Sequence, residues 1–342
     1  MNNQPSVALV ILNWNTSHYL KRFLPSLLTA TYPNKKVYVI DNFSSDDSLS
    51  MLGADFPEVV VLPMKDNKGF AEGYNFGLAQ ITADYYLLIN SDLQATPGFI
   101  EPLLYLMETN PAIAACQPKL LSLEDKHMFE YAGAAGGWID QLGLPFAQGR
   151  ILTTVEEDHG QYDAIAPVFW ATGACMFLRS SVYKETGGFY GYYYMHQEDI
   201  DLCWRMQNMG YAIYTCPVSV VYHIGGGTLS WENHLKTFLT YRNNYIMLSR
   251  NLPFMKAVAI VGLRLLLDFA GSFYFLLKAE PGISKSMLKA IGAYFYWLIF
   301  IPKTKHHQPR GWKKHTGVYK GTILFPYFLG NRKKFSEVVK TK

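Results

Sequence analysis

Cysteine is scarce in this sequence. Cys116, Cys175, Cys203 and Cys216 are the four in 342 residues, and no two of them form a C-x-x-C pair. That argues for reduced core thiols in a cytosolic protein. No G-x-G-x-x-G follows the first apolar run, which disfavours a dinucleotide fold, and there is no P-loop. No internal repeat is visible. The opening stretch MNNQPSVALVILNWN has no basic n-region and no cleavage site, and its apolar run stops at Asn13. It is therefore expected to be a strand and not a signal peptide. Charged residues are few, at 17%, against 49% hydrophobic, which excludes a disordered chain and indicates a globular one with a sizeable core.

The sparse charge is unevenly placed. From Lys303 to Lys342 there are eleven Lys or Arg against one acid, Glu337, while the preceding body is mildly acidic. A basic tail attracts anionic lipid or nucleic acid. Along the body, Val7–Leu12, Val37–Ile40, Val59–Leu62 and Tyr85–Ile89 are short apolar runs that read as buried parallel strands. Helical stretches separate them, the last over 69–81. This alternation predicts an α/β sheet with right-handed crossovers, in which ligands bind at the carboxyl ends of the strands. Three polar clusters stand at such ends: Asn13-Trp14-Asn15, Asp41-Asn42 and Asn90-Ser91-Asp92. Residues 122–165 show little periodicity and read as loops and a hairpin over the site.

Asp92 sits where a strand-terminal carboxylate can hold a divalent cation that bridges two phosphates. Taken alone, the tripeptide reads equally well as a turn. Asp41 can accept a hydrogen bond from the N–H of uracil or thymine, or cap an Asx-turn. Gly69, Gly73 and Asn75 open a helix whose N-terminus favours a diphosphate, or else pack closely on the sheet. HQEDIDLCWR, residues 196–205, puts three acids within four positions. Helix capping explains some of them; Arg205 can neutralise one; a carboxylate left beside an acceptor hydroxyl is a natural general base. His223 ends an apolar run before Gly225-Gly226-Gly227 and reads as a metal ligand. Trp170–Leu178 reads as a core strand, with Trp170 or Thr172 facing a sugar.

In this order, VILNWN (10–15), VIDNFSSDDS (39–48), NKGFAEGYN (67–75), LLINSD (87–92), GACMFLRSS (173–181), GGF (187–189) and HQEDIDLCWR resemble the family 2 glycosyltransferases of GT-A fold, especially the rhamnosyltransferase-like group. The resemblance spans roughly residues 6–250. It implies a mixed, mostly parallel central sheet and an inverting, single-displacement sugar transfer from a nucleotide-sugar donor. It also implies a divalent cation, Mg²⁺ or Mn²⁺. It makes Asp41 the base-binding carboxylate, with Asn13, Asn15, Asn42, Gly69, Asn75 and Asn90 around the nucleotide. Asp92 and His223 become metal ligands, Asp199 the catalytic base, and Trp170, Glu198 and Arg205 the acceptor side. Asn90 departs from the D-x-D pattern and removes one charge from the metal site.

Three regions are expected: a catalytic domain over 1–250, an apolar helical segment over 251–302, and the basic tail from 303. Ala257–Leu277 is long enough to span a bilayer, but Arg264 and Asp268 are costly at its centre and are spaced to pair. Interfacial or re-entrant helices at the cytoplasmic face of the membrane, anchored to anionic lipid by the tail, are therefore expected, with a two-span hairpin or a plain helical core as the alternatives. With them comes a glycan acceptor carried on lipid. The expected donor is dTDP-rhamnose or a UDP-hexose, used in cell-surface polysaccharide synthesis. Nucleic acid is not an expected partner. The rival readings are a nucleotidyltransferase on a similar sheet and a non-catalytic binding module.

Overall fold

A computed structural model describes residues 4–225, 234–302 and 309–340. Its first half alternates as the apolar runs predict: β1 (Val7–Asn13), α1 (Ser17–Leu28), β2 (Lys35–Asp41), α2 (Ser48–Asp55), β3 (Val60–Pro63), α3 (Gly69–Leu78) and β4 (Tyr85–Ile89). Then come β5 (Leu93–Ala95), α4 (Ile100–Thr109) and β6 (Ile113–Ser122). Four very short strands follow: β7 (Gly137–Ile139), β8 (Pro145–Ala147), β9 (Arg150–Ile151) and β10 (Thr154–Val155). The domain continues through β11 (Ala166–Val168), β12 (Cys175–Arg179), α5 (Ser180–Glu185), α6 (Glu198–Met209) and β13 (Ala212–His223).

The main sheet has nine strands in the order β11-β13-β6-β12-β4-β1-β2-β3, with β5 added on β13. β3, β2, β1 and β4 are mutually parallel, as are β6 and β13, and β12 runs antiparallel between β4 and β6. Alternate residues of β1 serve two cores. Val7, Leu9 and Ile11 join Leu20, Leu24 and Leu103 on one face; Ala8 and Val10 join Tyr74 and Leu202 on the other. This period of two under helices on both faces is what a buried parallel strand requires. The four cysteines are buried and unpaired, as a core role requires.

Two readings of the sequence change. The stretch 122–165 contains a four-stranded antiparallel sheet, β10-β9-β8-β7, where loops and a hairpin are expected. Strands of two or three residues are too short for a period of two to show. The apolar run from Trp170 becomes a strand only at Cys175, because residues 170–174 cross under the site first.

Beyond β13 lie α7 (His234–Asn251), α8 (Phe254–Leu277) and α9 (Pro281–Phe300), which pack on one another and on α6. By length and composition α8 can cross a membrane, with a mean hydropathy of 1.7 over its most apolar window. Arg264 and Asp268, the two charges at its middle, face the protein, and Lys256 is exposed in its first turn. Arg264 donates to Asp268, Asn244 Oδ1 and the Leu142 carbonyl, and Tyr245 donates to Asp268. The opposite face leaves Phe254, Leu266, Phe269, Phe273 and Leu277 exposed. Residues 309–340 are not a loose tail. With α10 (Leu324–Phe328) and α11 (Phe335–Val338) they form a strap, bonded to Asn208, Gln207, Ile139, Asp140 and Glu156. Lys313, Lys314, Lys320, Arg332 and Lys334 point outward from it. Residues 303–308, which hold part of the expected tail, lie outside the described residues.

Glycine sets the helix–sheet distance. A Cβ on Gly77 of α3 would collide with the Ile40 side chain, and one on Gly73 with Leu12. Gly77→Ala is expected to cost about 1–3 kcal/mol by overpacking. Combined with Ile40→Ala it should destabilise by less than the sum of the two changes in urea unfolding, because the new methyl fills the space the isoleucine leaves.

Candidate active site

The carboxyl ends of β1, β2 and β4 and the first turn of α6 border a cavity of ≈ 890 Å³. Asn42, Gly69, Asn90, Asp92, Trp170, Glu198, Asp199 and His223 line it; Asn13, Asn15, Asp41, Asn75 and Arg205 do not.

On the nucleotide side the loops are cross-braced. Asn13 donates to Asp41 Oδ1 at 2.8 Å, and the Ser44 N–H donates to Asp41 Oδ2 at 3.0 Å. Asp41 is 1% exposed, with both carboxylate oxygens engaged by the loops behind the cavity. Asn15, at φ 55°, accepts from Ser45 and likewise fixes the loop. Asn42 ties β2 to the 67–69 turn through Asn67 and Gly69. Asn75 clamps Phe189 and Tyr183 away from the cavity. The start of α3 is not a free anion site either. The Tyr194 carbonyl takes the N–H groups of Phe70 and Ala71, and Asn67 takes that of Gly69. Gly69 is needed there for φ 75° and because a Cβ would strike Tyr194. Sequence reasoning left Trp14 without a role of its own, yet it is 41% exposed on the cavity wall, a surface on which a base can stack.

Asp92 and His223 meet because β5 pairs antiparallel with β13, setting Leu93 opposite His223. Asp92 Oδ1 is 2.9 Å from His223 Nε2, and Asn90 Nδ2 is 3.3 Å from the same nitrogen. On the far side of the ring, Nδ1 is 3.3 Å from Glu130 Oε2. Burial opposes a charged imidazole, but Glu130 and Asp92 outweigh it and hold the His223 pKa at about 10. Burial would raise the Asp92 carboxyl, but the His223 charge and hydrogen bond turn the net shift downward. The donor set fits a divalent cation once His223 gives up its Nε2 proton and keeps Nδ1–H on Glu130. Asp92 Oδ1 and His223 Nε2, which now share a hydrogen bond of 2.9 Å, would be its two protein ligands. Among the described residues no group of three or more His, Cys, Asp or Glu could hold a metal. A cation here would thus rely on diphosphate oxygens for further ligands. Glu130 had no sequence signal, and Gly226 and Gly227 of the glycine run lie outside the described residues.

The three acids of α6 divide. Asp201 is fully buried and receives Arg205 Nε at 2.8 Å, Asn251 Nδ2 at 2.7 Å and Tyr193 OH at 3.0 Å. Arg205 is therefore spent inside the fold and not on an acceptor, a correction to its expected place. Asp199 faces the cavity with Oδ2 on the Gly173 N–H at 2.9 Å. The next carbonyl, Ala174, accepts from Asn90 N–H at 3.0 Å, so a two-residue link joins the carboxylate to the strand end opposite. Burial raises both carboxyls, and the neighbouring Asp199 charge pushes Glu198 further. Trp170 lines the wall with its indole N–H tied to the Trp138 carbonyl at 2.9 Å.

Three non-glycine residues before α6 occupy left-handed backbone: Tyr194, His196 and Gln197, at φ 66°, 68° and 71°. Such geometry persists only when the surroundings over-determine it. Asn243 of α7 does so, its amide lying within 2.8–3.0 Å of the carbonyls of Tyr193, Met195 and His196.

Glycosyl transferase family 2 matches residues 8–159. The N-acetylglucosaminyl-diphospho-decaprenol L-rhamnosyltransferase of Mycobacterium tuberculosis is 29% identical over 232 residues, 63% of this chain and 75% of that one. GalNAc-T7 with UDP, GalNAc and Mn²⁺ superposes at TM-score 0.62 and 12% identity, over 87% of this chain and 58% of its own. The mannosyltransferase of Pyrobaculum calidifontis with GDP-Man and Mn²⁺ superposes at TM-score 0.52 and 13% identity, over 86% and 88%. The fold is that of the GT-A transferases, and the sequence matches support a glycosyltransferase. Within that class the match over residues 8–159 and the mycobacterial relative support a family 2 glycosyltransferase, rhamnosyltransferase-like in sequence.

Asn243→Ala takes the amide from the Met195 and His196 carbonyls, while Tyr193 keeps Arg242, and is expected to cost about 1–3 kcal/mol in urea unfolding. Because the turn it holds carries Glu198 and Asp199, kcat should fall by more than the folded fraction does.

Proposed function

We propose that this enzyme transfers a sugar with inversion from a dTDP-rhamnose or UDP-hexose type donor to a hydroxyl of a lipid-linked glycan. It does so in cell-surface polysaccharide synthesis at the cytoplasmic face of the membrane. The observation that carries the reading is Asp199: a carboxylate on the cavity wall, raised by burial, linked through Gly173-Ala174 to the strand end that bears Asp92. Asp199 takes the proton of the acceptor hydroxyl. The acceptor oxygen attacks the anomeric carbon from the face opposite the diphosphate, whose C–O bond breaks as the new one forms. A nucleoside diphosphate departs, and no covalent glycosyl-enzyme is needed, unlike the retaining glycosidases. Trp14 and Asn42 border the nucleotide; Trp170 and Glu198 border the acceptor. Asp92 and His223 would hold Mg²⁺ or Mn²⁺, which when bound offsets the charge of the departing diphosphate.

Membrane association rests on the exposed apolar face of α8, on its inward-turned Arg264–Asp268 pair and on the outward bases of the C-terminal strap. The working division is a catalytic body over 1–250, a lipid-facing helical pair over 251–302, and a basic segment from 303 that adds charge attraction. The acceptor reading takes support from the relative whose name includes a diphospho-decaprenol.

Asp199→Asn should lower kcat by about 10²- to 10⁴-fold while a nucleotide-induced rise in Tm persists. In the wild type the acidic limb of kcat/KM should lie above the ordinary aspartate value of 3.8, because the base must be ionised and its pKa is raised. Full activity in the asparagine variant would sink the mechanism. Full-length protein should co-sediment with anionic vesicles, and the pair Leu266→Glu and Phe273→Glu should release it. Equal co-sedimentation of the pair would remove α8 from the membrane contact.

A further inference from the structure

Arg150, on β9, is 6% exposed and lines the cavity. Its Nη1 donates to the Leu152 carbonyl at 3.2 Å and its guanidinium lies over the Tyr131 ring at 4.6 Å. Its Nε is buried with no partner, and among the described residues no carboxylate pairs with it. The buried acids of the same region are engaged elsewhere: Glu156 accepts from Tyr162 and Phe335, and Glu130 faces His223 and the Ala132 N–H. Arginine does not lose its proton in a protein, and a buried charge without a counter-ion is costly. An arrangement of this kind suits an anion that arrives with a ligand.

The surroundings say which anion. Leu144, Leu152, Leu324 and Phe328 border the same cavity, and Leu267 and Phe275 of α8 continue that apolar wall. A negative group that carries a hydrocarbon chain matches both features; a free hydrophilic anion matches only the first. We infer that Arg150 binds a phosphate of the acceptor, with the adjoining apolar wall taking the first part of its lipid chain. This rests on the lipid-linked acceptor proposed above and assigns a residue to reading its phosphate. The other source of the same chemistry is the donor diphosphate, because Tyr131 adjoins Glu130, which faces His223.

The test measures binding to the full-length protein and does not require the acceptor sugar. Farnesyl diphosphate, farnesol, inorganic pyrophosphate and dTDP with Mn²⁺ are titrated against wild type, Arg150→Gln and Arg150→Lys. Wild type should bind farnesyl diphosphate more tightly than either farnesol or pyrophosphate. Arg150→Gln should weaken farnesyl diphosphate by roughly 10- to 100-fold, the range of one charge-assisted pair, and dTDP by less than about twofold. Arg150→Lys should fall between, since it keeps the charge and loses the fork, and it serves as the folded control. Equal weakening of dTDP assigns Arg150 to the donor and overturns the proposal. Unchanged farnesyl diphosphate binding in both variants overturns it while leaving the lipid-linked acceptor standing. A wild type that binds farnesyl diphosphate no better than pyrophosphate removes the lipid-linked acceptor and the proposal with it.

Discussion

The carboxylate of Asp201 is the interaction on which the acceptor side depends. It is fully buried, and burial alone would neutralise it. Arg205, then Arg250, outweigh that cost and hold its pKa below the usual aspartate range. Its oxygens gather α6 through Arg205, α7 through Asn251, and the preceding turn through Tyr193. Removing one member of a buried pair leaves an uncompensated charge, at about 3–5 kcal/mol. The hub therefore sets where α6 begins, and α6 begins with the two acids that face the cavity. Asp199 can be raised by burial and still be placed, because Asp201, two positions on, is locked as a carboxylate.

That hub explains why the α6 motif was only partly legible in the sequence. Three acids in four positions indicate a site, but spacing cannot say which acid faces out. The choice is made by Asn251, Arg250 and Tyr193, whose relation to Asp201 exists only after folding. Arg205 was misread for the same reason: an arginine one turn along a helix is equally suited to a ligand and to the acid beneath it. The strand ends were more legible, because an apolar run that stops at a polar residue is a local signal. Asp41 shows the limit of that signal. Its position at a strand end was correct, yet spacing does not show that Asn13 and Ser44 engage its carboxylate. Arg150 and Glu130 lie in segments whose strands are two residues long or absent, so no periodicity could mark them.

The C-terminal helices and strap belong to the site as much as to its surroundings. Asn243 holds the turn before α6; Asn244 and Arg264 join α7, α8 and the 142–143 loop. Ile323 and Phe335 hydrogen-bond to buried acids at the small sheet that carries Arg150. A helix whose central charges are paired on its inner face can present an apolar surface outward along its middle without burying an unpaired charge. The same contacts then fix the height of that surface relative to the cavity, so lipid contact and acceptor entry are set by one piece of packing.

The departure at Asn90 can be understood in charge terms. A carboxylate there would stand beside Asp92, with Glu130 already behind His223. Instead the amide lies 3.3 Å from His223 Nε2 and adds no charge. The missing carboxylate is in effect moved to Glu130, which contacts Nδ1 of the same ring. A carboxylate behind a ligating histidine fixes its orientation and raises its basicity. Charge delivered through an imidazole is more diffuse than charge on a direct ligand. A cation bound here would therefore be pulled less strongly than in a two-aspartate site and would depend more on ligands from outside the chain.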